Sequence, residues 1–411
     1  MIDFATLAAE DRRDPLAPRR DEFLLPAGVV YLDGNSLGPL TRRAAERVGE
    51  VMLEQWGESL IRSWNEHGWI ELPRRAGAKI ARLIGAAPDE VVVADSTSVN
   101  LFKVAAAALR ARPGRRVIVS EAGNFPTDLY TLEGLLDLLG PGFELRRVER
   151  EEIGAALTSE VAALCLTHVD FRTGARHDLA GLTAAAHHVG ALAIWDLAHS
   201  AGALPVELGV ADADLAVGCG YKYLNGGPGA PAFVFAARRL QEELRSPLQG
   251  WLGHAAPFEF AGHYRPAPGI DRFQNGTPPV LALAALDAAL EVWDGLEMTA
   301  VRAKSMALTS RFIELVEAVC AGLGLRLASP RNPEERGSQV SFAHPEAYAV
   351  MQALIARGVI GDFRAPDLLR FGFAPLYVGF EDVGRAVAAL QEVLATEEWR
   401  QERWQQRATV T

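Results

Sequence analysis

ALAIWDLAHSAGALPVELGVADADLAVGCGYKYLNGGPG, residues 191–229, decides the fold. An apolar run at 192–195 ends on Asp196, and His199 follows three residues later. A second apolar run, 215–217, leads to Lys222 among small residues: Gly218, Cys219 and Gly220 before it, Asn225, Gly226, Gly227 and Gly229 after it. The lysine lies 222 − 196 = 26 residues beyond the aspartate. Both runs read as strands, which places Asp196 and Lys222 just past strand ends. That pairing suggests one chemistry: the lysine holds a carbonyl cofactor as a Schiff base, and the aspartate pairs with a ring nitrogen of that cofactor. Burial lowers a lysine's pKa and makes it a useful nucleophile and base. Lysine is scarce in this chain, and arginine does the general surface work.

Working outward, residues 113–235 alternate short apolar strands with helical patterns. The strands are expected at 116–120, 145–148, 162–167, 192–195, 215–217 and 231–235, and the helices at 127–139, 179–189 and, more briefly, near 200. Such alternation predicts an α/β domain whose mostly parallel sheet is covered on both faces. Ligands in such domains bind at the carboxyl ends of strands. Ser98, 125–128, 167–170, Asp196, His199 and Lys222 sit there.

Upstream, residues 1–30 read as a polar, Pro-punctuated arm, followed by a short strand and a Gly/Asn turn at 29–39. Helical periodicity runs over 41–61 and 73–85. A strand at 91–93 precedes Asp95-Ser96-Thr97-Ser98 and an Ala-rich helix at 99–110. Hydroxyl residues there suit a helix cap and equally suit a phosphate, because free N–H groups and the helix dipole favour an anion. Downstream, 236–280 is loop-rich with aromatics, and an irregular stretch that long is more often functional than a linker. Helices at 280–295 and 300–323 lead into strands near 326–328, 339–341 and 369–372 with helices at 346–357 and 381–396. The expected organisation is an arm at 1–40, a large domain at 41–280 and a smaller α+β domain at 281–411.

The 411 residues are 49% hydrophobic and 23% charged, with a net charge of −11, as in a globular protein with a full-sized core. Basic residues come as scattered pairs such as Arg74–Arg75 and Arg146–Arg147, which speaks against a nucleic-acid or anionic-membrane surface. Three cysteines, none in a CxxC pair, give no disulfide framework and fit a reducing compartment. The N-terminus breaks into charge within ten residues, so no signal peptide is expected, and no apolar stretch could span a membrane. A cytoplasmic protein is the expectation. Asp196 with His199 could also serve a metal or hydrolase site. The histidines, however, are scattered without HExxH, and neither GxGxxG after the first strand nor GxxxxGK[ST] is present.

With these residues in place the chain resembles the kynureninases, pyridoxal 5′-phosphate enzymes of fold type I, over essentially its whole length. The resemblance rests on YLDGNSLG at 31–38, DSTSVN at 95–100, FPTD at 125–128, THVD at 167–170, WDLAHSAG at 195–202, YKYLNGGPG at 221–229, GWLGH at 250–254 and Leu369-Arg370. It implies a large domain with a mostly parallel seven-stranded sheet plus a smaller C-terminal α+β domain, pyridoxal phosphate as cofactor, and a homodimer with shared active sites. It implies hydrolysis of L-kynurenine, and of 3-hydroxykynurenine, at the Cβ–Cγ bond. The products would be anthranilate or 3-hydroxyanthranilate and L-alanine, in tryptophan catabolism toward NAD.

The resemblance also assigns roles. Lys222 would carry the cofactor and move protons between the substrate α-carbon and C4′. Asp196 would pair with the pyridine nitrogen, Phe125 would stack on the ring, and Asp128 would lie beside it. Thr97, Ser98, Tyr221, Trp251 and Thr277 would hold the phosphate region, some of them from the partner subunit. Thr167 and His199 would line the pocket, and Arg370 would pair with the substrate α-carboxylate. Asn35, Trp64 and Gly276 would surround the aryl end. Tyr221 is the candidate general acid/base for the gem-diol step. The 275–277 loop and Trp64 resemble the bacterial pattern, which favours kynurenine over its 3-hydroxy derivative.

Three rivals share part of the pattern. A cysteine desulfurase or selenocysteine lyase would need a reactive cysteine on a mobile loop and typically a histidine on the ring, whereas Phe125 stands at the stacking position and Cys320 lies in a helical pattern. A class V aminotransferase shares Asp196 and Lys222 but not the specific segments. A catalytically inert binding module would not need Lys222, Asp196 and Arg370 together.

Overall fold

A computed structural model describes residues 2–407; residue 1 and residues 408–411, the outer ends of the expected arm and small domain, lie outside the described residues. The first strand, β1 (Val30–Tyr31), belongs to the N-terminal segment. The next seven form one sheet: β2 (Val91–Val93), β3 (Val117–Glu121), β4 (Glu144–Val148), β5 (Val161–Thr167), β6 (Leu192–Asp196), β7 (Leu215–Gly218) and β8 (Phe233–Ala236), in the order β2-β8-β7-β6-β5-β3-β4. Only β8 runs against its neighbours. Every other adjacent pair is parallel. The sheet is thus mostly parallel and seven-stranded, as expected.

Its central strands are apolar up to their carboxyl ends because both faces are covered. Successive residues point to opposite faces. Ala193 and Trp195 join one core cluster, while Leu192 and Ile194 join the other, packed with the helix Thr97–Ala111. Trp195 is fully buried, and its Nε1 donates to Thr183 Oγ1 at 3.0 Å, so the helix Leu179–His188 is tied to β6.

Five more strands follow: β9 (Arg326–Leu327), β10 (Gln339–Ala343), β11 (Val359–Ile360), β12 (Asp362–Arg364) and β13 (Leu368–Gly372). A four-stranded antiparallel sheet has the order β12-β13-β10-β9. β11 pairs in parallel with β1, Val30 opposite Val359, so the N-terminal segment is woven into the C-terminal part. The segment also carries a helix, Phe4–Arg13, packed on the helix Phe380–Ala395. Among the described residues no helix is long and apolar enough to cross a membrane.

Two expected helices differ. The one at 41–61 is α-helical only over Arg42–Glu50, then widens to i→i+5 bonding over Val51–Ser59. It ends where Leu60 takes a positive φ of 54°. The widened segment leaves Met52, Leu53, Trp56, Leu60 and Ile61 exposed. The short helix near 200 is a chain of turns, with Ala201 N bonded to Leu197 O at 2.9 Å and Leu204 N to Ser200 O at 3.1 Å. Gly202, at φ 80°, stops it from continuing.

The long helix Met298–Val319 lays Phe312 against Phe371, Phe373 and Phe342, with ring centroids 4.9, 5.1 and 6.1 Å away. Truncating this side chain opens a cavity that the surrounding rings cannot fill. Phe312→Ala should lower unfolding free energy by about 3–5 kcal/mol in denaturant titration. A loss under about 1 kcal/mol would show that this aromatic cluster is not the anchor of the small sheet.

Candidate active site

β5, β6 and β7 end side by side and deliver Thr167, Asp196 and, one turn later, Lys222 to one cavity of about 280 Å³. Thr97, Ser98, Phe125, Asp128, Phe171, His199 and Tyr221 complete most of its wall. Nine of the sequence-derived site residues therefore meet in one place, with Phe171 beside them.

Lys222 Nζ lies 3.0 Å from His199 Nε2 and about level with two rings, 6.0 Å from the Phe125 centroid and 5.8 Å from that of Tyr221. The lysine sits in a turn closed by Asn225 N donating to Lys222 O at 2.9 Å, with Asn225 at φ 59°. The N-terminal segment presses on this turn. Gly38 N donates to Tyr221 O at 2.7 Å, and a side chain at Gly38 would run into the Lys222 carbonyl and Asn225. That contact explains why a glycine ends the 31–38 motif.

Asp196 is buried, and one of its oxygens accepts from Ala198 N at 2.7 Å. Burial raises its pKa, and the Lys222 ammonium opposes that rise. Asp128 faces it. Burial first, and then the Asp196 charge, push Asp128 well above the ordinary carboxylate range. Two buried carboxyls in contact share one proton, and Asp128 is the one that carries it. Thr167 Oγ1 donates to Asn124 Oδ1 at 2.5 Å and lies 3.3 Å from Asp128 Oδ2. Burial also raises the Tyr221 phenol above its ordinary value, so it stays protonated.

Thr97 and Ser98 open the 15-residue helix Thr97–Ala111, capped by Ser96 Oγ on Val99 N at 3.4 Å. First-turn N–H groups here are free to meet an anion. The loop before them is held by Lys103, which is fully buried and donates to Asp95 Oδ2 at 2.7 Å and to Phe273 O at 2.6 Å.

Arg370, on β13, is almost fully buried. Asp362 takes its Nε and Nη2 edge, Ser36 Oγ accepts from Nη2 at 2.8 Å, and Phe171 O accepts from Nη1 at 2.6 Å. Asn35 is buried 3.4 Å from Gln339 Oε1. Trp64 packs edge-on against Trp69 at 6.0 Å, and Trp251 against Phe258 at 5.7 Å. Gly276 and Thr277 follow Asn275, whose carbonyl accepts from Leu252 N at 3.2 Å. None of Asn35, Trp64, Trp251, Gly276, Thr277 and Arg370 lines the Lys222 cavity of the single chain.

Sequence reasoning missed four residues: Lys103, Phe171, Gln339 and Asp362. Phe171 meets Phe125 edge-on at 5.1 Å. Lys103 interrupts an apolar helix, which was a signal, whereas Gln339 and Asp362 are polar residues at strand starts and carried none.

A kynureninase from Burkholderia mallei strain SAVP1 is 54% identical over 408 residues, 98% of each chain. The chain belongs to the kynureninase family. A kynureninase from Pseudomonas fluorescens is 53% identical over the same share, and the family model "Kynureninase C-terminal domain" matches residues 301–390. Among solved structures, the apo cysteine desulfurase of Thermococcus onnurineus NA1 superposes with a TM-score of 0.76 at 21% identity, covering 92% of this chain and 98% of that one. At that identity the likeness concerns the fold. The three cysteines here are free and buried, and burial raises each thiol, that of Cys320 to about 11, the reverse of what a cysteine nucleophile needs.

The Asp128–Asp196 contact has a measurable cost. Asp128 is raised above its ordinary 3.8, so its contribution to stability is complete below that pH and is lost as pH climbs and the unfolded chain alone ionises. Asparagine keeps the hydrogen bond without the charge. The cofactor-free Asp128→Asn protein should therefore melt higher than wild type near pH 7, with the difference vanishing below about pH 4. A lower melting temperature at pH 7 would contradict this charge arrangement.

Proposed function

We propose that this chain hydrolyses the Cβ–Cγ bond of L-kynurenine, and of 3-hydroxykynurenine, to anthranilate or 3-hydroxyanthranilate and L-alanine, with pyridoxal phosphate held at Lys222. The observation that carries the reading is the single cavity joining a lysine amine, a buried aspartate, an aromatic face and a hydroxyl-rich helix start. That donor set fits the cofactor. The lysine matches its aldehyde, Asp196 its ring nitrogen, Phe125 its face, and Thr97 with Ser98 its phosphate.

When bound, the cofactor supplies an electron sink for negative charge on carbons next to the substrate's amino group. The chain's own residues supply the rest. Lys222 takes and returns the α-proton. Asp196, as an anion, keeps a proton on the ring nitrogen, and protonated Asp128 adds a donor beside it without a second charge. Thr167 holds Asp128 in place. The Tyr221 phenol, protonated at neutral pH, is the candidate acid and base for adding water to the γ-carbonyl. Arg370 would receive the α-carboxylate at Nη1, which keeps the one N–H that Asp362, Ser36 and Phe171 O leave over.

The reading includes a homodimer in tryptophan catabolism. Trp64, Trp251, Gly276 and Thr277 lie off the single-chain cavity, and a second copy would bring such residues to it. The exposed apolar side chains of 52–61 offer a surface for that copy. A cytosolic location fits three free cysteines. A preference for kynurenine over 3-hydroxykynurenine, from Trp64 and the 275–277 loop, completes it.

Lys222→Ala should lose the visible cofactor band and anthranilate release together. Tyr221→Phe should keep the band and lose roughly 10²–10⁴ in kcat. Anthranilate fluorescence with both substrates reads the outcome. A folded, yellow protein that releases no anthranilate would sink the reading, and unchanged turnover in Tyr221→Phe would move the acid/base role to another group.

A further inference from the structure

We propose that Gln339 is a positioning residue that fixes His199 in its Nδ1–H form, making His199 Nε2 a standing acceptor for the Lys222 amine. The proposal takes Lys222 as the cofactor lysine, as read above, and adds a residue and a proton position to that site.

Two backbone carbonyls orient the glutamine amide. Gln339 Nε2 lies 3.0 Å from Asp170 O and 3.2 Å from Phe171 O. A carbonyl can only accept, so the side of the amide facing them must be the NH₂ group. Turning the amide over would set its oxygen against two other oxygens in a site where the side chain is almost fully buried. The amide orientation is therefore fixed, and Oε1 points the other way. There it meets His199 Nδ1 at 2.9 Å and Asn35 Nδ2 at 3.4 Å. Oε1 is an acceptor, so His199 Nδ1 must carry a proton.

The second ring nitrogen follows. Burial, Lys222, Arg370 and Arg364 all disfavour a charged imidazole, and only the bond to Gln339 favours one. The ring is neutral, and a neutral imidazole has one N–H. Nε2 thus bears a lone pair, 3.0 Å from Lys222 Nζ. The contact has one polarity: the amine donates and the imidazole accepts. An unlocked imidazole could carry its proton on Nε2 instead. It would then ask the lysine for a lone pair that the amine needs for chemistry. The lock keeps that lone pair free and aims the amine with one hydrogen bond.

Gln339 belongs to β10 of the small sheet, whereas His199 and Lys222 follow strands of the large one. The proton position on the imidazole is thus set from the other sheet.

The test uses cofactor-free protein labelled with [15N]histidine. Long-range 1H–15N correlations distinguish the two neutral ring forms, and the His199 signals are those lost in His199→Gln. Wild type should show Nδ1 protonated and Nε2 bare near neutral pH. Gln339→Glu keeps an acceptor, so Nδ1 should stay protonated. Gln339→Leu removes the acceptor, and the signals should move to Nε2–H or to an average of the two forms. In loaded enzyme, Gln339→Leu should lose roughly tenfold in kcat with KM changed by less than about twofold, the scale of one hydrogen bond.

A merely structural glutamine would alter melting temperature without moving the tautomer. Nε2 protonated in wild type, Nδ1 bare in Gln339→Glu, or Nδ1–H retained in a stably folded Gln339→Leu would each overturn the proposal. If Gln339→Leu does not fold, the other two spectra still decide it. Absence of anthranilate would defeat the functional reading and leave the tautomer result standing.

Discussion

Three consecutive carbonyls, those of Asp170, Phe171 and Arg172, hold the large and small sheets in one arrangement. Gln339 donates to the first two, Arg370 Nη1 to the second, and Ser341 Oγ to the third. The donors alternate on β10 and face across to β13, where Ser341 lies opposite Arg370. Buried carbonyls left without donors cost more than the net value of the bonds they make, so this row allows little sliding between the sheets. Phe171 passes the constraint on, because its ring meets Phe125 edge-on in the Lys222 cavity. Tyr223, next to the lysine, adds a further tie by donating to Ser338 O at 3.0 Å.

Most of the large sheet was legible in the sequence because its strands are apolar runs spaced by amphipathic helices. Its central strands, covered on both faces, leave no polar residue to blur the pattern. The strand ends were legible for the same reason: Asp196 and Lys222 interrupt apolar context. The failures have equally local causes. Residues 41–61 keep helical spacing, and spacing does not tell i→i+4 from i→i+5 bonding. The turns near 200 have the small residues of a helix, but Gly202 breaks it. Gln339 reads as one polar residue starting a strand, and its role depends on carbonyls 169 and 168 residues away in sequence. Arg370 came only with the family resemblance, and nothing marked Asp362, which takes the Nε and Nη2 edge of its guanidinium.

Solved structures that share this fold include cysteine desulfurases, and the contrast shows where chemistry resides on a shared fold. A desulfurase needs a thiol that ionises and reaches the substrate. Here every cysteine is buried with its thiol raised. What the cavity offers instead is a protonated phenol, a lysine with a fixed acceptor and a carboxyl pair holding one proton. Those groups suit moving protons and adding water at a carbonyl.

The pairing of β1 with β11 sets an order on synthesis. Val30 waits for Val359, a separation of 359 − 30 = 329 residues, so the N-terminal segment leaves the ribosome long before its partner strand exists. The large sheet faces a milder form of the same delay, since the only strand that pairs with β2 is β8, 144 residues later (235 − 91 = 144). The segment that presses Gly38 against the lysine turn is therefore a late arrival at its own site. A nascent chain stalled before β11 would carry Lys222 on a sheet whose outer wall has yet to close.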